Sequence, residues 1–413
     1  MGNDYLVMGE NSNTFLKGKP IFWIFIAALC VISVIEVFSA TSRMTFGGTQ
    51  NFIRPVLGHV AHLCVGLVFL YLTHRVHYRY FKIIPYVLLP LAAAALIYLI
   101  IRSHATGVTE RWIPLPGFSL QPSELAKMGV IVAVASILSK LDEEDALSQI
   151  QSFIRIMVVT CFFVLLIFPE NLSTALLLAL VVFMMMIVGR IKAKYLLLLT
   201  AVGGGLAAVM LAIMLFVPPQ KIQASPLPER FVTWQARVLD FTDNSGEMNP
   251  QEYVRTVARD KPQETHANIA IATSNIFGKG PGNSVERDFL QEASCDFIYA
   301  IIIEELGLVG ALVVMAIYLW MLLKVGGIAA SCGTRKFPKY LAMGISFLLT
   351  LQALVNMSVA VGLIPVTGQP LPLISTGGTS ILATCVYLGM LISISWSAVE
   401  PESDETEDVV ATE

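Results

Sequence analysis

Apolar runs of about 15 to 25 residues, the length that carries a helix across roughly 30 Å of hydrocarbon, alternate with short polar clusters along almost the whole chain. Ten such runs begin near Pro20, Leu57, Ile83, Leu125, Ile156, Leu172, Tyr195, Phe297, Tyr340 and Leu371. The pattern predicts an all-α polytopic membrane protein with about ten transmembrane helices. The fifth and sixth runs are parted only by Pro169-Glu170-Asn171, and a proline before a polar pair suits a tight reversal. The first run continues to Ala40 with no small-residue cleavage site behind it, as expected of an anchor and not of a removable signal. One segment breaks the rhythm, the long polar loop 218–295 between the seventh and eighth spans, and loops of that length usually carry function. The expected organisation is a short segment 1–19, helices one to seven over 20–217, the loop 218–295, helices eight to ten over 296–397, and a tail 398–413.

Ten spans put both termini on one side, and the basic residues of the short connections decide which. Lys17, Lys19, Arg75, Arg79, Lys82, Lys140, Arg155, Arg190, Lys192, Lys194, Lys324, Arg335, Lys336 and Lys339 fall on the side of the termini, against Arg43, Arg54, Arg102 and Arg111 on the other. Both termini are therefore expected in the cytoplasm, and loop 218–295 on the other side of the membrane. The tail carries seven acidic residues and no base, the composition of a disordered, solvated segment. Within the loop, Arg230 to Phe241 sets Phe231, Trp234 and Val238 on one helical face, which suits either a helix on the membrane surface or one packed on its own domain.

Composition sharpens the picture. Only 14% of the 413 residues are charged, against roughly 25% in soluble domains, so a soluble protein is excluded. A net charge of −3 leaves no nucleic-acid footprint, and six cysteines without a C-x-x-C spacing indicate neither a disulfide framework nor zinc. No cofactor is indicated, and a divalent cation has no visible ligand cluster.

Ionisable groups inside apolar spans are costly and mark functions or buried pairs. In RWIPLPGFSLQPSELAK, residues 111–127, Pro122 suits a first helical turn, and Glu124 and Lys127 share a face three residues apart. The pair is either a neutralising couple or the charged wall of an outward-facing cavity, with Arg111 and Trp112 offering a cation and a flat ring at its mouth. In SNIFGKGPGNS, residues 274–284, the glycines around Lys279, with Gly280 and Ser284, could present N–H groups to phosphate oxygens, or could simply hinge. Asp296 stands where polar loop turns into apolar helix, with Glu292 one turn earlier; a partly desolvated carboxylate there suits a general base, or an interfacial cap. Glu304 and Glu305 lie two turns deeper and favour structural roles, one paired with a base from a neighbouring span and one accepting backbone N–H groups.

In GLIPVTGQPLPLISTGGTS, residues 362–380, Pro365, Pro370 and Pro372 forbid a continuous helix, and broken backbone at membrane depth must be covered by protein or line a cavity. Ser375, Gly377 and Gly378 then open the last span with N–H groups that suit an anion, or with small residues that suit close helix packing. Glu36, His59, His62, Gln352 and Asn356 are expected to make hydrogen bonds between helices.

These motifs, in this order and spacing over residues 20–397, resemble the SEDS family (shape, elongation, division and sporulation), the FtsW/RodA/SpoVE group. The resemblance implies ten transmembrane helices with both ends cytoplasmic. It also implies a peptidoglycan glycosyltransferase that polymerises lipid II into glycan strands at the outer face of the inner membrane and releases undecaprenyl pyrophosphate. It implies catalysis by Asp296, within CDFIYA, and substrate contacts from Arg111, Trp112, Glu124 and Lys127. Its implied partners are a class B penicillin-binding protein transpeptidase and other divisome or elongasome membrane proteins. NSVERDFL and LVNMSVAVGLIPVTG are closer to the division branch. The chain departs from the usual pattern at Gln291-Glu292, at Cys295 in place of threonine, at Tyr299, at Glu170-Asn171, and at Thr376 in place of tyrosine. Two other readings of the residues are a flippase for the same lipid, which needs access from both sides and often an internal repeat that is not evident here, and a non-enzymatic divisome scaffold.

Overall fold

A computed structural model describes residues 17–41, 53–106, 110–115, 118–218, 229–243, 262–290 and 294–397. Glu292 and the tail 398–413 lie outside the described residues. Twelve helices form among them: α1 Pro20–Thr41, α2 Ile53–Arg75, α3 Ile84–Thr106, α4 Pro122–Ser139, α5 Ala146–Ile167, α6 Leu172–Val188, α7 Ala193–Phe216, α8 Glu229–Asp243, α9 Pro262–Thr273, α10 Ile298–Ser331, α11 Lys336–Ala360 and α12 Gly378–Ser397. Nine are long and apolar enough to cross a membrane, and α6 is a shorter apolar helix of 17 residues. Backbone groups in hydrocarbon must pair within their own segment, which is why these runs become helices and not strands.

Element ends differ from the apolar runs where polar chemistry sets them. α5 begins at Ala146, ahead of the apolar run at Ile156, because Asp145 caps it by accepting from the Leu147 and Ser148 N–H groups at 2.9 and 3.0 Å. α6 begins after Asn171, whose Oδ1 accepts from Thr174 N at 3.2 Å. α12 begins at Gly378 and not near Leu371, because the prolines before it hold an irregular segment.

α4, α11 and α12 occupy the centre and are buried along most of their lengths. α12 lies close against α2: a Cβ on Gly66 would meet Cys385 Sγ at 2.7 Å, and one on Gly389 would meet the Leu70 carbonyl at 2.8 Å, so these positions need small residues. α7 stands at the periphery, with Met214 its one buried residue. α8 closes the end of α7: Gln235 Nε2 donates to the Met214 and Val217 carbonyls at 3.0 and 2.6 Å. Trp234 meets Phe168 edge-on at 5.0 Å, so α8 packs on the protein, the second of the two placements its pattern allowed.

α10 is broken at Gly307, whose φ of 69° and ψ of −171° interrupt the helical ladder. The freed backbone groups are taken up by the glycine loop: Lys279 N donates to the Glu304 carbonyl at 2.9 Å, Gly280 N to the Glu305 carbonyl at 2.8 Å, and Val309 N to the Ile276 carbonyl at 3.2 Å. A Cβ on Gly278, itself at φ +72°, would overlap the Glu305 carbonyl and Gly307 N; one on Gly307 would overlap the Ile276 carbonyl. Two glycines are needed here because two backbones meet face to face.

Gly278→Ala is expected to destabilise the detergent-solubilised protein by about 2 kcal/mol or more, since it combines a left-handed φ with backbone overlap. Gly204→Ala, in a helix with nothing near the added carbon, should leave stability unchanged or higher. Thermal unfolding of the two variants measures the difference, and equal midpoints would contradict the packing described.

Candidate functional site

The site is built around Asp296, one residue before the Phe297 cap of α10. Asn356 of α11 holds its backbone: Nδ2 donates to the Asp296 carbonyl at 3.0 Å and to the Gln369 carbonyl at 2.8 Å. One turn earlier on α11, Gln352 Nε2 donates to the Pro370 carbonyl at 3.0 Å. Two amides four residues apart on one helix face thus anchor the proline-broken segment beside the aspartate. Gln369 extends the anchoring to α6 through Thr174 Oγ1 at 2.7 Å. Asn356 and Gln352, expected to bond between helices, hold the broken segment beside Asp296, and Gln369, which the sequence did not single out, ties it to α6. The signal in the sequence was the i, i+4 spacing of two amides facing a proline-rich stretch.

Arg111 reaches the same point from the other side. It precedes β1 (Ile113–Leu115), which pairs antiparallel with β2 (Phe118–Leu120) in the register Ile113↔Leu120, and this small hairpin delivers the chain into α4. Gly368, at φ +70°, lies next to both charges: a Cβ there would stand 3.2 Å from Arg111 Nη1 and 3.6 Å from Asp296 Oδ2. The guanidinium and the carboxylate therefore both approach this one point of the proline-rich segment. Both residues are half-buried, and the neighbouring Trp112 is 40% exposed.

Glu124 and Lys127 sit deeper. Lys127 Nζ lies 2.8 Å from Glu124 Oε1 and donates to Gln352 Oε1 at 3.2 Å, and its side chain is fully buried. The structure thus corrects the expectation of a charged cavity wall for Lys127. Its charge is neutralised within the bundle and acts on the site through Gln352 and the Pro370 carbonyl.

The glycine loop also differs from the phosphate cradle its composition suggested. Lys279 Nζ pairs with Glu304 Oε1 at 2.6 Å, and Ser284 Oγ donates to the other oxygen of that carboxylate. Glu305 accepts from Gly282 N at 2.9 Å, from Ser284 N at 3.2 Å and from Ser39 Oγ. The anions held by Lys279, Gly280 and Ser284 are the protein's own glutamates and backbone carbonyls, which is a structural role. The base that pairs with Glu304 comes from this loop and not from a neighbouring span.

Ser375 and Gly378 are likewise committed to packing, while Gly377, half-buried, has only Ser380 Cβ at 3.5 Å from an added Cβ. Ser375 Oγ donates to the Cys295 carbonyl at 2.6 Å and accepts from Leu371 N at 2.8 Å. His62 Nε2 lies 2.9 Å from where a Cβ on Gly378 would be, so the start of α12 is covered by α2. Cys295 and Thr376, two positions where the motifs depart from the usual pattern, touch each other, with Sγ 3.1 Å from Oγ1 and 3.0 Å from the Thr376 carbonyl. Thr376 N closes the same seam on the Ser294 carbonyl at 2.8 Å. Among the scattered polar residues, His59 Nε2 meets Ser33 Oγ at 2.8 Å, whereas both carboxylate oxygens of buried Glu36 lack a partner among the described residues.

Known proteins match this chain over nearly its full length. The FtsW/RodA/SpoVE family, described as cell cycle proteins, matches residues 19–400. The probable peptidoglycan glycosyltransferase FtsW of Thioalkalivibrio sulfidiphilus is 32% identical over 382 residues, covering 91% of this chain and 88% of its own. The protein of the same name from Pseudomonas fluorescens is 28% identical over 376 residues, covering 90% and 86%. Among solved structures, a chain of a peptidoglycan synthase complex that coordinates polymerization and crosslinking is 21% identical, with a TM-score of 0.67 over 93% of this chain and 99% of that one. The rod shape determining protein RodA of Thermus thermophilus is 19% identical, with a TM-score of 0.61 over 93% and 98%. The fold is shared with both, and the sequence match over almost all of its length makes this chain a member of the FtsW/RodA/SpoVE family.

Proposed function

We propose that the chain is a peptidoglycan glycosyltransferase that polymerises lipid II into glycan strands during cell division, working at the outer face of the inner membrane with both termini in the cytoplasm. The carrying observation is the convergence of Arg111 Nη1 and Asp296 Oδ2 on Gly368. The acceptor's sugar 4-hydroxyl loses its proton to the Asp296 carboxylate as its oxygen attacks the donor's anomeric carbon. The bond from that carbon to the diphosphate breaks, and undecaprenyl pyrophosphate leaves with the electron pair. Arg111 supplies the positive charge next to this event, where a desolvated, fixed cation is worth more than one in water. Trp112 offers a flat face for a sugar or an isoprenoid.

Glu124 and Lys127 act as positioning residues in this scheme. Through Gln352 they fix the Pro370 carbonyl, and with it the segment that carries Gly368. The FtsW name carried by the two relatives above favours division over elongation. A transpeptidase of the class B penicillin-binding type is the fitting partner, because a growing strand must be cross-linked to bear load.

Asp296→Asn preserves shape and the backbone bond from Asn356 but removes the base. Purified, it should polymerise lipid II about 10²- to 10⁴-fold more slowly than the unaltered protein at an unchanged thermal midpoint. Polymerisation at the unaltered rate would overturn the assignment.

The buried pair gives an independent test. Glu124→Gln or Lys127→Met alone leaves one charge uncompensated and should cost about 3 kcal/mol or more, while the double substitution should return to within about 1 kcal/mol of the starting stability. Thermal unfolding of the four proteins measures the coupling, and purely additive effects would show that the pair is not buried.

A further inference from the structure

At the end of the bundle opposite Asp296, two adjoining cavities concentrate positive charge. The first, of 430 Å³, lies between the start of α3, the end of α4 and the start of α5. The second, of 600 Å³, lies between the turn Tyr78–Ile83, the end of α4 and the turn that leads into α11. Lys82 and Lys140 line both. Arg155 completes the first, and Arg79, Arg335 and Lys336 the second, so six cations line this pair of adjoining hollows. Asp145 is the one acid among the lining residues, and its carboxylate is already engaged by the N–H groups that begin α5.

The need for basic residues on the cytoplasmic side explains their number but not the concavity. Lys82 rests over the Phe337 ring at 5.1 Å, and Lys336 Nζ donates to the Leu141 carbonyl at 2.9 Å. Lys140 and Arg155 form no ion pair with any described residue, and both are exposed. The rim of the first cavity is apolar where it meets the membrane, with Tyr86 79% and Leu147 61% exposed, and Ser136, Ser148 and Gln151 add uncharged hydrogen-bonding groups. A ligand that fits must carry negative charge at one end, hydroxyl or ester oxygens near it, and hydrocarbon at the other.

We infer that this hollow binds the headgroup of an anionic phospholipid of the cytoplasmic leaflet, its phosphodiester between Lys140 and Arg155 and an acyl chain along Tyr86 and Leu147. Basic pockets between helix ends at this depth hold such headgroups by charge, while the chain remains in the bilayer. The inference rests on the geometry of this end of the bundle and is independent of the chemistry at Asp296.

The test is lipid binding to the purified full-length protein, followed by native mass spectrometry over a titration of phosphatidylglycerol and, separately, phosphatidylcholine. Phosphatidylglycerol should bind more tightly, and Lys140→Gln with Arg155→Gln should weaken it roughly thirtyfold, each basic residue near a membrane surface contributing about a fivefold factor. Lys194→Gln with Lys324→Gln, two exposed cations on the same side but outside the hollow, should change it less than about threefold. Equal binding of the two lipids, or an equal loss in the control pair, would overturn the inference. Displacement of phosphatidylglycerol by inorganic phosphate at matching concentration would also overturn it, by showing a site for a free anion.

Discussion

A broken helix inside a membrane leaves N–H and C=O groups that water cannot reach, and the protein must satisfy them itself. This chain breaks its backbone twice near the end of the bundle that carries Asp296, and each repair shapes the site. At Gly307 the helix α10 opens, and the glycine loop enters to meet the carbonyls of Glu304 and Glu305. Between α11 and α12 the proline-rich segment cannot form a helix, and the amides of Gln352 and Asn356 take its carbonyls. Asp296 lies between the two repairs: α10 begins beside it, and Asn356 holds its own carbonyl. Its position is fixed by backbone accounting on both sides.

Charge follows the same logic. Lys127 is buried with Glu124, and the buried carboxylate of Glu304 is met by half-buried Lys279, so each buried ion has a partner. These pairs have structural work, whereas Arg111, half-buried and delivered by a short hairpin, comes close to Asp296 at Gly368. Gly368 stands next to both, where its positive φ favours glycine.

At the opposite end the lysines and arginines that set the topology are gathered into a hollow by the ends of α3, α4, α5 and α11. One molecule thus uses basic residues in two ways: paired with single glutamates at the end that carries Asp296, and massed along two cavities at the other.

The membrane-crossing helices and the broken segment at residues 362–377 were legible in the sequence, because hydrophobic length and the cost of broken backbone in hydrocarbon are properties of local composition; of the ten expected runs, nine became span-length helices and the sixth a shorter one. The family motifs carried the chemistry of Asp296, which its position alone left open between a base and a cap. What composition could not say is whom each polar group meets. Lys279, Gly280 and Ser284 have the residue types of a phosphate cradle, yet they hold Glu304 and Glu305, which lie some twenty residues further along the chain. Lys127 has the residue type of a substrate contact but is spent on Glu124 and Gln352. Ser375 and Gly378 suit an anion site but serve a seam with Cys295 and His62. Sequence determines which groups need partners in a membrane; only the packing of distant helices decides whether the partner is another part of the chain or a substrate, because pairing depends on distances that separation along the chain does not encode.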